Sequence, residues 1–163
     1  MHTHPFGPVA SSLVLITLVC GLTGCPDATP ERSIEGTWEC RTEWTWDRDG
    51  DAVSCAVNHE ATCQDSRVTA TGTLSIGDAQ WKETIEGTVA IEGDDIKDTR
   101  TLSRTEPLND AARQFEADRT GGKPLWQSLG AEPRTTRARI VTWSPTQFVT
   151  LSDEGRTTTC AKR

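Results

Sequence analysis

Val68-Thr69-Ala70-Thr71-Gly72-Thr73-Leu74-Ser75-Ile76 decides the fold. Val68, Ala70, Gly72, Leu74 and Ile76 fall on one face at period two, and the hydroxyl residues Thr69, Thr71, Thr73 and Ser75 fall on the other. That alternation is a half-buried β-strand. Gly77-Asp78 turns the chain, and Trp81, Ile85, Gly87, Val89 and Ile91 then alternate again, with Glu83 the one mismatch on their face. Gly93-Asp94-Asp95 turns it back, and Ile96 to Arg104 continues. The result is an antiparallel meander with one apolar face.

The pattern extends outward in both directions. Upstream, residues 37–46 are dense in Trp and Thr, and Asp49-Gly50 reads as the centre of a hairpin turn. Downstream, 107–132 loses period two. Asn109 or Asp110 is expected to cap a short helix through Ala111, Ala112, Phe115 and Ala117. Gly121-Gly122 ends it, and a second helical turn follows near Leu125 and Trp126. Strands resume at Arg137 to Trp143, Phe148 to Leu151 and Arg156 to Ala161. About eight short strands with frequent turns fit a barrel or a sandwich, and pattern alone does not choose.

The start of the chain has a different character. Val9 to Leu22 is apolar and ends in Leu22-Thr23-Gly24-Cys25. As a helix its 14 residues span about 21 Å, short of the roughly 30 Å hydrocarbon core, so a signal segment is the better reading than a membrane span. Its first eight residues carry His2 and His4 but no Lys or Arg. The run resembles a bacterial lipoprotein signal peptide with its lipobox. The resemblance implies cleavage before Cys25 and a lipid on Cys25. The expected organisation is a signal peptide at 1–24, a lipidated tether at 25–32 and one domain at 33–163. The expected location is the cell envelope, lipid-anchored. Because Pro26 rather than Asp follows Cys25, the outer membrane is favoured over the inner.

The chain carries a net charge of −7, which leaves no electrostatic footprint for nucleic acid. Cys40, Cys55, Cys63 and Cys160 remain in the mature part, an even number that reads as two disulfides in an oxidising compartment. A turn at Asp49-Gly50 sets Cys40 opposite residue 59, roughly 13 Å along the strand from Cys55, beyond the reach of a disulfide. Cys40–Cys160 with Cys55–Cys63 is therefore the expected pairing.

Ile34-Glu35-Gly36-Thr37-Trp38-Glu39-Cys40 resembles the Gly-x-Trp first strand of lipocalin-like β-barrels. Ile85 to Val89 running into Glu92 to Ile96, and the C-terminal strands with Asp153-Glu154-Gly155 between them, extend the likeness to small bacterial lipocalin-like lipoproteins. Val89 stands where such proteins often carry Trp, and the insertion at 107–132 interrupts their usual hairpins. The resemblance implies an all-β, antiparallel, up-and-down barrel of about eight strands with a short helical insertion near 107–132. It also implies that Gly36 and Trp38 form the barrel floor, with Trp38 packed against an Arg near the last strand, Arg156 or Arg163.

Cys55-x3-His59-x3-Cys63 would share one helical face, as metal ligands can, and His59 is the sole histidine of the mature part. Oxidising surroundings favour a disulfide there instead, and no metal site is expected. Asp47, Asp49 and Asp51 lack the glycine placement and the terminal Glu of a calcium loop. With one histidine and no Gly-x-Ser-x-Gly elbow, no catalytic residue, enzyme activity or cofactor is expected. The leading expectation is a monomeric, non-catalytic binding module for a small apolar or amphipathic ligand. Phe115, Leu125, Trp126 and Leu129 would form a lid over the barrel mouth. The second expectation is an envelope interaction protein, such as an inhibitor of a secreted hydrolase or an assembly factor.

Overall fold

A computed structural model describes residues 32–48, 50–128 and 133–163. The expected signal segment, Cys25 and Leu129 lie outside the described residues. The strands are β1 (Gly36–Arg48), β2 (Asp51–Gln64), β3 (Arg67–Ile76), β4 (Ala79–Glu92), β5 (Asp95–Pro107), β6 (Arg134–Ser144), β7 (Gln147–Ser152) and β8 (Thr157–Lys162). Helices α1 (Asp110–Arg119) and α2 (Leu125–Ser128) lie between β5 and β6. Every strand pairs antiparallel with its sequence neighbour, and β8 returns to β1, so the eight strands close into an up-and-down barrel. Closure removes the sheet edges wherever neighbouring strands run side by side.

Register follows the sequence pattern. The β1–β2 turn sets Arg48 against Asp51 and Cys40 against His59, as a turn at Asp49-Gly50 requires. Because directly opposed residues share a face, the pairs Trp38–Ala61, Ala61–Ala70 and Ala70–Ile85 carry one inward face across four strands. The Thr and Ser residues between them face out. The β2–β3 turn has no glycine, and Asp65 and Ser66 both take positive φ, 50° and 63°. That is the conformation a two-residue hairpin asks of its central positions. Asn109 caps α1, its side chain accepting from the Ala112 N–H at 2.9 Å. Arg32, assigned from sequence to the tether, instead pairs with Asp94 at 2.8 Å on the β4–β5 turn.

The core lies in two apolar clusters. One holds Trp38, Cys63, Val89, Phe148 and Cys160. The other holds Leu74, Ala79 and Trp81 with Ala112 of α1 and Leu125 of α2. The helices therefore seat on inward-facing side chains of β3 and β4. Strands β7 and β8, six residues each, are the shortest. β6 meets β5 only from Asp95 to Arg100, and β8 meets β1 only from Trp38 to Glu43. The upper parts of β1 and β5 run on past them.

Candidate functional site

The inward face of β2 places His59 between the two apolar clusters. Across β3 its position is opposite Gly72, and across β4 Gly72 is opposite Glu83. His59 Nε2 lies 2.9 Å from a Glu83 carboxylate oxygen, and the two side chains are 11% and 6% exposed. Gly72 makes the contact possible: a Cβ there would come within 2.5 Å of the imidazole Cδ2 and 1.9 Å of the Asn58 carbonyl oxygen. The pattern mismatch at Glu83 is thus the acid that receives His59. Thr42 and Thr158 share a hydrogen bond at 2.7 Å on the inward side of β1 and β8. Between the clusters the interior is a polar belt, shielded from solvent.

Below the belt, Trp38 is buried, and its ring meets Phe148 edge-on at 4.9 Å. Its indole N–H donates to the Ile34 carbonyl at 2.7 Å. The basic residue over the Trp38 ring is Lys162, its ammonium 5.4 Å from the ring centroid. This corrects the expectation of Arg156 or Arg163. The alternation of β8 explains it, since Lys162 is opposite Trp38 and shares its face. Arg163 faces outward and pairs with Glu39 and Glu60. Arg156 instead lies over Trp44, 4.6 Å from that ring.

Cys40 and Cys160 are bridged between opposed positions of β1 and β8. Cys55 and Cys63 are not bridged, which corrects the expected second disulfide. They lie eight positions apart on one continuous strand, about 27 Å at strand rise, where a bridged loop was expected. The same geometry holds the His59 Cα roughly 13 Å from each cysteine Cα along the strand, so the three do not converge as ligands. Burial pushes the Cys63 thiol up to about 11, with Glu35 and Asp98 adding to the rise. Burial also raises the Cys55 thiol, against a lowering by Arg156.

Above the belt, Phe115 meets the Trp81 ring edge-on at 5.4 Å, and Leu125 is buried. Trp126 is half-buried, and its backbone N–H donates to Thr105 Oγ1 at 3.1 Å. Glu116, which sequence reading passed over, organises this end. One of its carboxylate oxygens accepts from Trp81 Nε1 at 3.0 Å and from the Leu125 N–H at 2.9 Å. An acid on the Ala112 face of α1 was the available signal. Phe115, Leu125 and the Trp81 ring thus fill this end by direct packing.

Two open grooves flank Trp44. One, of about 420 Å³, runs over Thr45, Ser54, Ala56 and Ser75. The other, of about 510 Å³, lies between residues 43–47 and 154–156. Trp46 beside it is 41% exposed. No family model matches the chain, and no curated protein matches it.

Proposed function

We propose that this protein is a lipid-anchored, non-catalytic interaction protein of the cell envelope that binds a macromolecular partner at the barrel rim around Trp44 and Trp46. Cys25 carries the anchor, and the outer membrane is the favoured site. The observation that carries this reading is the contrast between a side-chain-filled axis and open grooves at one rim. Trp38, the His59–Glu83 pair and Trp81 occupy successive levels of the interior. The Trp44 grooves open outward.

A second reading has its own support. The groove of about 510 Å³, with Arg156 over the Trp44 ring, has the size and the mixed aromatic and cationic chemistry of a small-molecule site. A small amphipathic ligand at that mouth would retain the binding-module reading. Native mass spectrometry of the full chain, purified in mild detergent from its own envelope, separates the two. A polypeptide-sized addition that leaves on denaturation supports the interaction protein. A small, reproducible addition supports the ligand binder instead. A diacylglycerol-sized increment on the peptide that begins at Cys25 tests the anchor.

A further inference from the structure

The rim carries an unfinished sheet. β1 runs to Arg48, but its pairing with β8 stops at Glu43 opposite Thr157. Strand alternation says which groups are left over. Cys40 and Cys160 face each other with Cα atoms 4.1 Å apart, the close spacing of a non-hydrogen-bonded antiparallel pair. The odd-numbered residues of β1 therefore exchange hydrogen bonds with the β8 side. The Arg163 N–H, which donates to the Thr37 carbonyl at 3.0 Å, belongs to that series. Continued upward, the alternation turns the N–H and C=O of Thr45 and Asp47 to the open side, while Trp44 and Trp46 bond to β2. Among the described residues no backbone partner lies on that side. The chain before β8 bends away in a turn of its own, the Ser152 N–H donating to the Arg156 carbonyl and the Gly155 N–H to the Ser152 carbonyl.

The 510 Å³ groove lies along this open edge. Its inward side offers the Trp44 and Trp46 rings. Its outward side and far wall offer Glu43, Asp47 and Glu154 against Arg156, an excess of acid in a chain of net charge −7. Glu43 also faces Arg41, and Glu154 faces Arg156 at 2.8 Å. Sheet proteins blunt such edges with Lys, Pro or a bulge. Trp44-Thr45-Trp46 has none of these and is strongly strand-forming.

We propose that the open edge of β1 at Thr45–Asp47 docks an extended segment of a partner polypeptide, which adds as one more strand. The partner's segment alternates apolar side chains, facing Trp44 and Trp46, with basic ones facing Glu43 and Asp47. Main-chain hydrogen bonds hold it and the alternating side chains select it. The proposal rests on the rim-binding reading above and names the kind of partner.

The test uses the full chain in mild detergent and a blocked decapeptide of alternating valine and lysine, followed by calorimetry and tryptophan fluorescence. Thr45→Pro removes an edge N–H that the fold does not use, and Pro is tolerated on strand edges. It should weaken binding about tenfold, whereas Thr45→Val, which keeps the N–H, should change it by less than about twofold. If Thr45→Pro fails to fold, the same decapeptide with every backbone amide N-methylated replaces it, and should lose binding to the wild-type chain. Equal binding by the N-methylated peptide or by a folded Thr45→Pro variant overturns the proposal, because charge alone then attracts the peptide. Absence of wild-type binding overturns it too. In that case a polypeptide partner found by native mass spectrometry keeps the wider rim-binding reading alive. Wild-type binding that Thr45→Pro abolishes supports the edge docking, and a small molecule rather than a polypeptide on the native chain then counts against the interaction-protein role alone.

Discussion

Glu83 holds a carboxylate beside His59 with almost no solvent contact. Removing one member of a buried pair strands the other, which costs far more than the intact pair contributes. Glu83→Ala should lower stability by about 3 kcal/mol, and Glu83→Gln, which still accepts an imidazole N–H, by about 1 kcal/mol. Urea midpoints of the two variants check this, and equal midpoints would remove the pair's role. Gly72→Ala should be worse than either, because its Cβ meets the Asn58 carbonyl, which is backbone and has nowhere to go. Cys63 makes a pH prediction. Its thiol pKa is raised from 9.0 to about 11 in the folded chain, so the fold favours the protonated form. The stability this thiol contributes is complete below pH 9.0 and is lost as pH rises toward 11. Cys63→Ala should flatten that part of the melting-temperature profile between pH 8.5 and 11 (about the range set by the two pKa values) and leave the neutral-pH slope unchanged.

The element that most needs a specific side chain is the α1–α2 insertion. α1 is ten residues long and α2 four, too short to persist without packing. Glu116 ties both to the barrel by accepting from Trp81 and from the first residue of α2. Glu116→Ala leaves two buried donors unsatisfied and should cost about 3 kcal/mol. It should also speed hydrogen exchange across 110–128 while the β1–β2 hairpin stays protected. Glu116→Gln should recover most of the loss. Uniform exchange in both variants would mean that apolar contact alone holds the helices.

At the scale of the whole molecule, the barrel is closed twice, by backbone pairing of β1 with β8 and by the Cys40–Cys160 bridge. The bridge spans 120 residues of sequence, nearly the whole domain. Chain-entropy arguments give a loop of that length about 4 to 5 kcal/mol of stabilisation. Cys40→Ser with Cys160→Ser should therefore lower the chemical midpoint sharply while leaving a cooperative transition. In the oxidised wild type, Cys55 and Cys63 should resist alkylation at neutral pH until the chain unfolds, since both are buried with raised thiol pKa values. Two thiols labelled only in denaturant is the expected count.

The local code of this chain was legible wherever a side chain's own alternation carried the information. Period two at 68–76 and 81–91, the turn that sets Cys40 against His59, and a cap at Asn109 or Asp110, which the structure gives to Asn109, all follow from neighbours within a few residues. Lipocalin-like resemblance, not pattern, chose a barrel over a sandwich, because alternation reports which face is buried and not what closes on it. Glu83 was visible as an acid on an apolar face and Glu116 went unread, and their partners lie 24 and 35 residues away, so only the folded sheet brings them together. The second disulfide failed for the same reason in reverse: spacing in sequence suggested a loop, and a continuous strand held the two sulfurs apart. Lys162 over Trp38, Arg156 over Trp44 and the bare edge at Thr45 depend on where β8 begins and ends against β1. Barrel closure sets that register, so the rim that we propose as the working surface was decided by tertiary structure alone.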